Sequence, residues 1–298
     1  MANIYGKFPS GYQESITGTG QSDTIYPLGG SDQIDGGWGE DTVVIAADSW
    51  AFSVVTVSGT VYVDSVSGAS GGDSVSLRNV EFVKFNDTTV SLKIADTYTN
   101  TASSDFFDGG AGLDTVVYTG VRADHVVTAW GDDRSSVKSA DDVQGTDSLT
   151  SIERLQFADQ RVALDLAASQ ASGQAVLLIG AVLGKNLLPL KPELMGTVIG
   201  LFDQGFSMLD LSGALMRLPI WGGVLTPSNS STDIARYLLT VVNQQTPSEA
   251  QVSAAASQIN TGVQGTYLAG LAASAQNQVQ VDLVGLAGTG FAYQVAVA

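Results

Sequence analysis

The chain has 298 residues, 44% of them hydrophobic, so it can bury the core of one large domain or of two ordinary ones. Its 30 acidic residues outnumber 13 basic ones, and 24 of the 30 lie no later than Leu166, so the expected partner of the first half is a cation rather than nucleic acid, which needs clustered Lys and Arg. The chain contains no cysteine, which excludes disulfides and thiolate metal sites.

Residues 1–17 are predicted to form a separate N-terminal segment. Its sequence begins MANIYGKFPSGYQES and lacks the charged and apolar blocks of a secretory signal. The longest apolar run of the chain, near AVLLIGAVLG, is too short to span a bilayer, so no membrane insertion is expected. These features taken alone indicate a cytosolic protein, whereas the repeats that follow favour an exported one.

Three nonapeptides follow one another from Gly18, with the sequences GTGQSDTIY, PLGGSDQID and GGWGEDTVV. The sixth place of each is an aspartate and the eighth is apolar. The scheme returns from Ser91 as SLKIADTYT, NTASSDFFD and GGAGLDTVV. The aspartates in the sixth place are Asp23, Asp32, Asp41, Asp96, Asp105 and Asp114. Two sets of three aspartates in one register are hard to produce by chance, and they indicate a repeat with a function.

Calcium binding explains this composition. Glycine adopts positive φ angles and lets backbone carbonyls approach an ion closely, and Ca²⁺ takes about six to eight oxygen ligands from carboxylates and carbonyls. The predicted metal residues are the six aspartates together with the loop glycines Gly18, Gly20, Gly36, Gly37, Gly39, Gly109, Gly110 and Gly112. The alternative is a set of Gly-Asp turns in an ordinary β-domain.

The repeat length predicts how the loops stack. Two nonapeptides make one coil of a right-handed parallel β-roll, so every second loop lies on the same edge and the apolar eighth residues turn inward. This arrangement predicts one ion between Asp23 and Asp41, and another between Asp96 and Asp114. The remaining two aspartates, Asp32 and Asp105, are expected on the opposite edge.

The segments after the two triplets are also related. Residues 76–94, SLRNVEFVKFNDTTVSLKI, align with residues 148–166, SLTSIERLQFADQRVALDL, at an offset of 72. Alternating strands such as WAFSVVTVSGTVYVDSV precede them. The first half is therefore predicted to be a tandem duplication, with copies at 18–90 and 91–166.

The two complete nonapeptides, GGWGEDTVV and GGAGLDTVV, resemble the Ca²⁺-binding repeats of the repeats-in-toxin family. The other nonapeptides match less completely, so between one and four ions are expected. The resemblance implies export through a one-step (type I) channel, guided by an uncleaved C-terminal signal that would include the apolar ending GFAYQVAVA. It also implies an extracellular or cell-surface location, where folding on Ca²⁺ needs dissociation constants of only about 10⁻⁴–10⁻³ M.

After Leu166 the apolar period changes to about 3.6 residues, which predicts an all-α helical bundle over 167–298. Residues 201–215 match residues 258–272 at an offset of 57, which indicates two internal repeats. The run from Thr246 to Glu249 is interpreted as a capping box with Pro247 in the first helical position. The pattern resembles bacterial helical domains of unknown function that follow such repeats in exported proteins, including surface-layer proteins.

No catalytic constellation is recognised, and an enzyme is not expected. His125 is the only histidine, which excludes the His-Glu-x-x-His motif of metalloproteases. The Gly-x-Ser-x-Gly sequence at 68–72 lies in SGASGGD, which is predicted to be a turn between strands and not the strand-to-helix elbow of a lipase. Glu81 and Glu153 are candidates for a catalytic carboxylate pair. Their equivalent places in the two copies favour a shared structural role instead.

The sequence favours a secreted, Ca²⁺-stabilised structural protein that self-assembles into a surface layer, filament or matrix. Its expected partner is the chain itself, because the open ends of a solenoid can pair with another copy. The alternative is a monomeric Ca²⁺-dependent adhesin or glycan-binding module. In that case Trp38, Trp50 and Trp130 are the residues expected to contact a cell-surface polysaccharide.

Overall fold

A computed structural model describes residues 2–7, 12–37, 39–57, 60–66, 74–92, 95–130, 133–140, 145–260 and 264–295. Within these residues, an N-terminal β-rich region with four mixed sheets is followed by a C-terminal region of about eight helices. The chain divides into two compact units. The first comprises Met1–Val117 and Asp147–Glu153, and the second comprises Tyr118–Thr146 and Arg154–Ala298.

The secondary structure follows the predicted change of period near Leu166. The strands are β1 (Asn3–Tyr5), β2 (Ser15–Thr17), β3 (Thr24–Tyr26), β4 (Ser31–Asp35), β5 (Thr42–Val44), β6 (Phe52–Val57), β7 (Thr60–Ser65), β8 (Ser74–Arg78), β9 (Phe82–Lys84), β10 (Thr89–Ser91), β11 (Thr97–Thr99), β12 (Phe106–Asp108), β13 (Thr115–Val117), β14 (His125–Ala129), β15 (Arg134–Ser139), β16 (Thr146–Thr150), β17 (Arg154–Gln156), β18 (Arg161–Ala163) and β19 (Phe291–Tyr293). The α-helices are α1 (Ala171–Leu183), α2 (Pro192–Asp203), α3 (Met208–Met216), α4 (Ser231–Asn243), α5 (Glu249–Asn260), α6 (Gln264–Ala273), α7 (Ala275–Gln280) and α8 (Leu283–Ala287). Short 3-10 helices cover Ser49–Ala51, Arg122–Asp124 and Leu188–Leu190.

In the first compact unit, strands β1 to β5 alternate between two sheets. β1, β3, β5 and β9 pair in parallel in one sheet, and β2, β4 and β8 pair in parallel in the other. Ile25 lies opposite Val43, and Ile16 lies opposite Ile34, so each residue faces its counterpart two nonapeptides later. This register is the one that the nonapeptide repeat predicts. The apolar eighth residues Ile25, Ile34 and Val43 are buried in the core of this unit, as predicted.

The order of strands recurs along the chain. β11 pairs in parallel with β13, and β12 pairs in parallel with β16, as β3 does with β5 and β4 with β8. The antiparallel hairpin β6–β7 precedes β8, and the antiparallel hairpin β14–β15 precedes β16. Antiparallel pairs follow in both places, β9 with β10 and β17 with β18. The strand order therefore agrees with the duplication that the sequence alignment indicates.

The second compact unit holds the helices and one strand that the sequence analysis missed. The prediction of an all-α region is wrong at Phe291–Tyr293, which pairs antiparallel with β18. Phe291 and Tyr293 are buried while Ala292 is exposed, so this short segment has the two-residue period of an edge strand. Helices α3 and α6 approach closely where a Cβ on Gly265 would lie 2.8 Å from the Cα of Gly213. The small residues of α6 thus allow close packing within the chain.

The predicted capping box before α5 is wrong in its position. The helix begins at Glu249, and Ser248 caps it: the Gln251 amide donates to Ser248 Oγ, and the Ser248 amide donates to Gln251 Oε1. Ser248 and Gln251 satisfy the same Ser/Thr-x-x-Glu/Gln pattern that Thr246 and Glu249 do. Val252, in the first turn of this helix, is buried. None of the helices in the described ranges is long and apolar enough to cross a membrane.

Candidate metal centre

The nonapeptide aspartates are joined from coil to coil by hydrogen bonds between carboxylate and backbone. The amide of Asp23 donates to Asp41 Oδ1 at 2.7 Å, and the amide of Asp96 donates to Asp114 Oδ1 at the same distance. Each pair that was predicted to share an ion therefore does lie on one edge of the first compact unit. In both pairs the aspartate accepts the backbone N–H of the aspartate 18 residues earlier, which joins the two segments.

Glu81 and Glu153 extend these two rows. The amide of Asp41 donates to Glu81 Oε2 at 2.5 Å, and the amide of Asp114 donates to Glu153 Oε2 at 2.8 Å. The two glutamates make the same contact in the two copies. This equivalence supports a structural role for both residues over a catalytic carboxylate pair.

The other two aspartates lie in similar rows. Asp32 Oδ1 accepts from the amide of Glu14 at 3.0 Å, and the amide of Asp105 donates to Asp147 Oδ1 at 2.9 Å. Asp147 is buried and belongs to none of the six nonapeptides, so the sequence analysis missed it. The feature that could have identified Asp147 is its position at the start of β16, the strand that pairs with β12.

The first glycine of the loops is required by the stacking. A Cβ on Gly18 would lie 1.9 Å from the carbonyl oxygen of Gly36, and one on Gly36 would lie 2.0 Å from that of Asn79. Likewise, a Cβ on Gly109 would lie 2.1 Å from the carbonyl oxygen of Ser151. No side chain fits at these three positions, because the backbone of the next coil occupies the space.

The remaining predicted glycines differ in what they do. Gly37, Gly39 and Gly110 have φ angles of +85°, +117° and +72°, in the region that only glycine adopts readily. Gly20 has open space around it, so no contact there requires glycine. Gly112 is partly buried in the bend that precedes Asp114.

Asp41 and Asp114 each bury one carboxylate oxygen that lacks a hydrogen bond. Both residues are 0% exposed, and within the described part of the chain no donor reaches Oδ2 of either. Asp41 Oδ2 lies 2.6 Å from the point where a Cβ on Gly36 would be, and Asp114 Oδ2 lies 2.7 Å from the corresponding point on Gly109. These are the points that a neighbouring backbone carbonyl also approaches. In each Gly-Gly loop, the first glycine therefore lies close to both a carboxylate oxygen that accepts no hydrogen bond and a backbone carbonyl oxygen.

Burial shifts the titration of these two groups. Removal from water, the largest cause, raises the pKa of Asp41 to about 7, against the lowering effect of the hydrogen bond from Asp23 and with the help of the charge on Glu81. Burial likewise raises the pKa of Asp114 to about 7, and the charge of Asp96 adds to it. Without a cation, the ionised form of both carboxyls is disfavoured.

The carboxylates of Asp23 and Asp105 are hydrogen-bonded within their own loops. Asp23 Oδ2 accepts from the amide and the hydroxyl of Thr19, both at 2.7 Å, and its Oδ1 accepts from the amide of Ala2 at 2.8 Å. Asp105 Oδ2 accepts from the amide of Thr101 at 2.9 Å and from its hydroxyl at 2.8 Å. Burial raises the pKa of Asp23, but the hydrogen bonds from Thr19 and from the amide of Ala2 act against it, and the pKa lies below its usual value.

A Ca²⁺ ion at Asp41 or at Asp114 would have one carboxylate oxygen and a backbone carbonyl oxygen as ligands. Among the described residues, no three Asp, Glu or His side chains come together as a metal cluster, so each site would combine one carboxylate with backbone carbonyls. Both carboxylates and backbone carbonyls serve as Ca²⁺ ligands in proteins. Asp41 Oδ2 and Asp114 Oδ2, which accept no hydrogen bond, are the carboxylate oxygens that would coordinate the ion.

His125 belongs to an aromatic cluster. Its ring lies 5.3 Å from that of Tyr118 and 5.0 Å from that of Phe157, and Nδ1 lies 3.0 Å from the carbonyl oxygen of Val121. The equivalent place in the first copy holds Phe52, whose ring lies 5.7 Å from that of Phe85. The equivalence supports a packing role for this histidine.

The tryptophans that the glycan-binding alternative requires are partly accessible. Trp50 is 75% exposed in the 3-10 helix Ser49–Ala51, and Trp130 is 59% exposed after β14. Trp38 lies outside the described residues. The two described tryptophans stand at places that are not equivalent in the two copies.

No protein-family model matches this chain, and no curated protein matches it. The resemblance to repeats-in-toxin proteins therefore stays a prediction from the nonapeptides.

Proposed function

We propose that this chain is a secreted structural protein, stabilised by Ca²⁺, that self-assembles into a surface layer, filament or matrix. Its first part is a tandem-duplicated β-roll and its second part a helical domain. The observation that carries the proposal is the pair of bare, fully buried oxygens, Asp41 Oδ2 and Asp114 Oδ2, at equivalent places in the two Gly-Gly loops.

A cation at these oxygens has a clear energetic reason. Burying an ionised carboxylate without a partner is costly, and at neutral pH the group must either take up a proton or find a positive charge. A Ca²⁺ ion supplies that charge and accepts the adjacent carbonyl as a further ligand. An ion that binds only the folded chain stabilises it by mass action, by about 2.7 kcal/mol for each site at a hundredfold excess over Kd.

The strand pairing supports the β-roll. Parallel pairs between segments two nonapeptides apart are what one coil of such a roll produces, and Ile25–Val43 and Tyr98–Val116 both have this spacing. The sixth-place aspartates then fall on the edges as stacked rows. A chain with these rows binds ions along its length and holds its coils in one register.

Two features of the surface support association with a second copy. Within the described residues no strand pairs with the outer edges of β1 and β2, which end their sheets. The exposed residues Leu187 and Leu190 lie between exposed Lys185 and Lys191, a basic and apolar segment in a chain of net charge −17. An acidic surface of another copy is the partner whose charge complements this segment.

The assembly is tested by electron microscopy and sedimentation velocity in a few millimolar Ca²⁺ and again in EGTA. We expect ordered filaments or sheets in Ca²⁺ that dissolve on chelation. The variant Leu190→Glu with Lys191→Glu is expected to weaken association, whereas Val224→Glu, at another exposed apolar position, serves as the matched control. Monodisperse particles in both buffers would contradict self-assembly.

The exposed indole of Trp50 favours one alternative, a monomeric Ca²⁺-dependent glycan-binding module. Exposed aromatic rings give a flat apolar face on which a sugar can stack. Quenching or enhancement of tryptophan fluorescence by a surface polysaccharide, lost in Trp50→Ala and accompanied by monomeric sedimentation, would support this alternative over assembly.

A further inference from the structure

The six nonapeptides do not all form the same kind of loop. Their second residue is Thr in GTGQSDTIY and NTASSDFFD, and Gly in GGWGEDTVV and GGAGLDTVV. This difference coincides with the contacts of the aspartate. The Thr loops satisfy Asp23 Oδ2 and Asp105 Oδ2, and the Gly loops leave Asp41 Oδ2 and Asp114 Oδ2 bare.

The hydrogen bonds of the two Thr loops are the same. In each, the threonine amide and hydroxyl both donate to the aspartate of the same loop, as Thr19 does to Asp23 and Thr101 to Asp105. The threonine oxygen in turn accepts from a backbone amide of the loop, that of Gln21 at 3.3 Å and that of Ser103 at 3.2 Å. A recurring set of three contacts indicates a defined loop conformation rather than a chance pairing.

We propose that Thr19 and Thr101 take the place of a metal ion, so that, of these four loops, only the two Gly-Gly loops lose an ion when their aspartate is replaced. Glycine at the second place, Gly37 or Gly110, provides no hydroxyl and leaves the carboxylate oxygen for the ion. In the four nonapeptides with Thr or Gly at this place, that residue thus decides whether the loop binds metal. The inference rests on the proposed function and narrows it, because Asp23 then contributes no ligand to the ion at Asp41.

The physical reason is a competition for the same oxygen. A carboxylate oxygen that accepts two charge-assisted hydrogen bonds from its own loop is already compensated, and an ion would have to displace them. A buried oxygen with no donor has nothing to displace. The two kinds of loop therefore differ in whether the Oδ2 oxygen of the aspartate already accepts hydrogen bonds from its own loop.

The first test is the number of Ca²⁺ ions bound per chain, measured by equilibrium dialysis and atomic absorption. We expect Asp41→Asn and Asp114→Asn each to lose one ion relative to the wild type, and Asp23→Asn and Asp105→Asn to lose none. Loss of an ion in Asp23→Asn or Asp105→Asn would overturn this inference and leave the proposed function standing. A wild-type chain that binds no Ca²⁺ would overturn the proposed function itself.

The second test does not depend on bound metal. Thr19→Val and Thr101→Val are expected to lower the urea midpoint by the same amount in EGTA and in Ca²⁺, because the lost hydroxyl bond is independent of the ion. Thr97→Val, at an exposed position of β11, is the matched control and should leave the midpoint unchanged. Recovery of the Thr19→Val midpoint by Ca²⁺ would overturn the inference, since the ion would then be occupying the place of the hydroxyl.

Discussion

Replacing Arg154 by methionine is expected to lower the free energy of unfolding by about 3–5 kcal/mol, the usual cost of removing one partner from a buried ion pair. Arg154 is 2% exposed and bonds Asp165 and, at 2.6 Å, Asp203. Burial opposes its charge, but the two carboxylates outweigh burial and hold the pKa of the guanidinium above its ordinary value. Without it, the carboxylates of Asp165 and Asp203 lose the guanidinium that both of them contact. Equilibrium unfolding in urea measures the loss.

The matched control is Arg236→Met, in the same compact unit. Arg236 bonds Glu249 at 2.7 and 3.0 Å, but the pair is exposed, so its removal should cost only about 0–1 kcal/mol. Combining Arg154→Met with Asp165→Asn and Asp203→Asn should recover part of the stability, because no charge is then left uncompensated. Equal losses in the two arginine variants would contradict a buried ion network.

In EGTA, the stability of the wild type is expected to contain a component that decreases as the pH rises from about 4 to about 7. The pKa of Asp41 and that of Asp114 are both raised from 3.8 to about 7 in the folded chain. Between these values the folded chain holds a proton at each carboxyl that the unfolded chain has released, so stability falls with increasing pH. This contribution to stability is fully present below the pKa of the unfolded chain. It is lost as the pH rises through the pKa of the folded chain.

The component is isolated by comparison with the variant Asp41→Asn/Asp114→Asn, which keeps the shape of the side chains but cannot titrate. In EGTA at pH 8 the variant should be more stable than the wild type by a few kcal/mol, and near pH 4 the two should be similar. In saturating Ca²⁺ at pH 8 the order should reverse, because only the wild type gains the ion. Identical pH profiles in EGTA would show that the two carboxyls are not buried as described.

The nonapeptide register could be read from the sequence because each coil repeats the same chemistry. The spacing of two nonapeptides places Ile25 opposite Val43, and the burial of these eighth-place residues follows from their apolar character. The requirement for glycine at Gly36 and Gly109 also follows from stacking, since the backbone of the next coil fills the place of a side chain. The length of such a repeat is therefore enough to predict which residues pair between neighbouring strands.

The remaining features depend on residues far apart in sequence. The partners of Arg154 lie 11 and 49 residues away, and the buried amide of Asn277 donates to the carbonyl of Leu177, 100 residues earlier. The periodicity of the sequence does not predict such contacts. β19 was missed because so short a strand has too few residues to show alternation. The difference between the Thr and Gly loops was visible in the sequence, but its meaning required the hydrogen bonds.

The most direct test of the calcium sites is the unfolding free energy measured as a function of free Ca²⁺ at pH 8, for the wild type and for Asp41→Asn/Asp114→Asn. With an ion at each Gly-Gly loop, the stability of the wild type rises with the logarithm of the Ca²⁺ concentration, and its slope exceeds that of the variant by two ions per chain. Equal slopes for the two proteins would contradict calcium binding at Asp41 and Asp114.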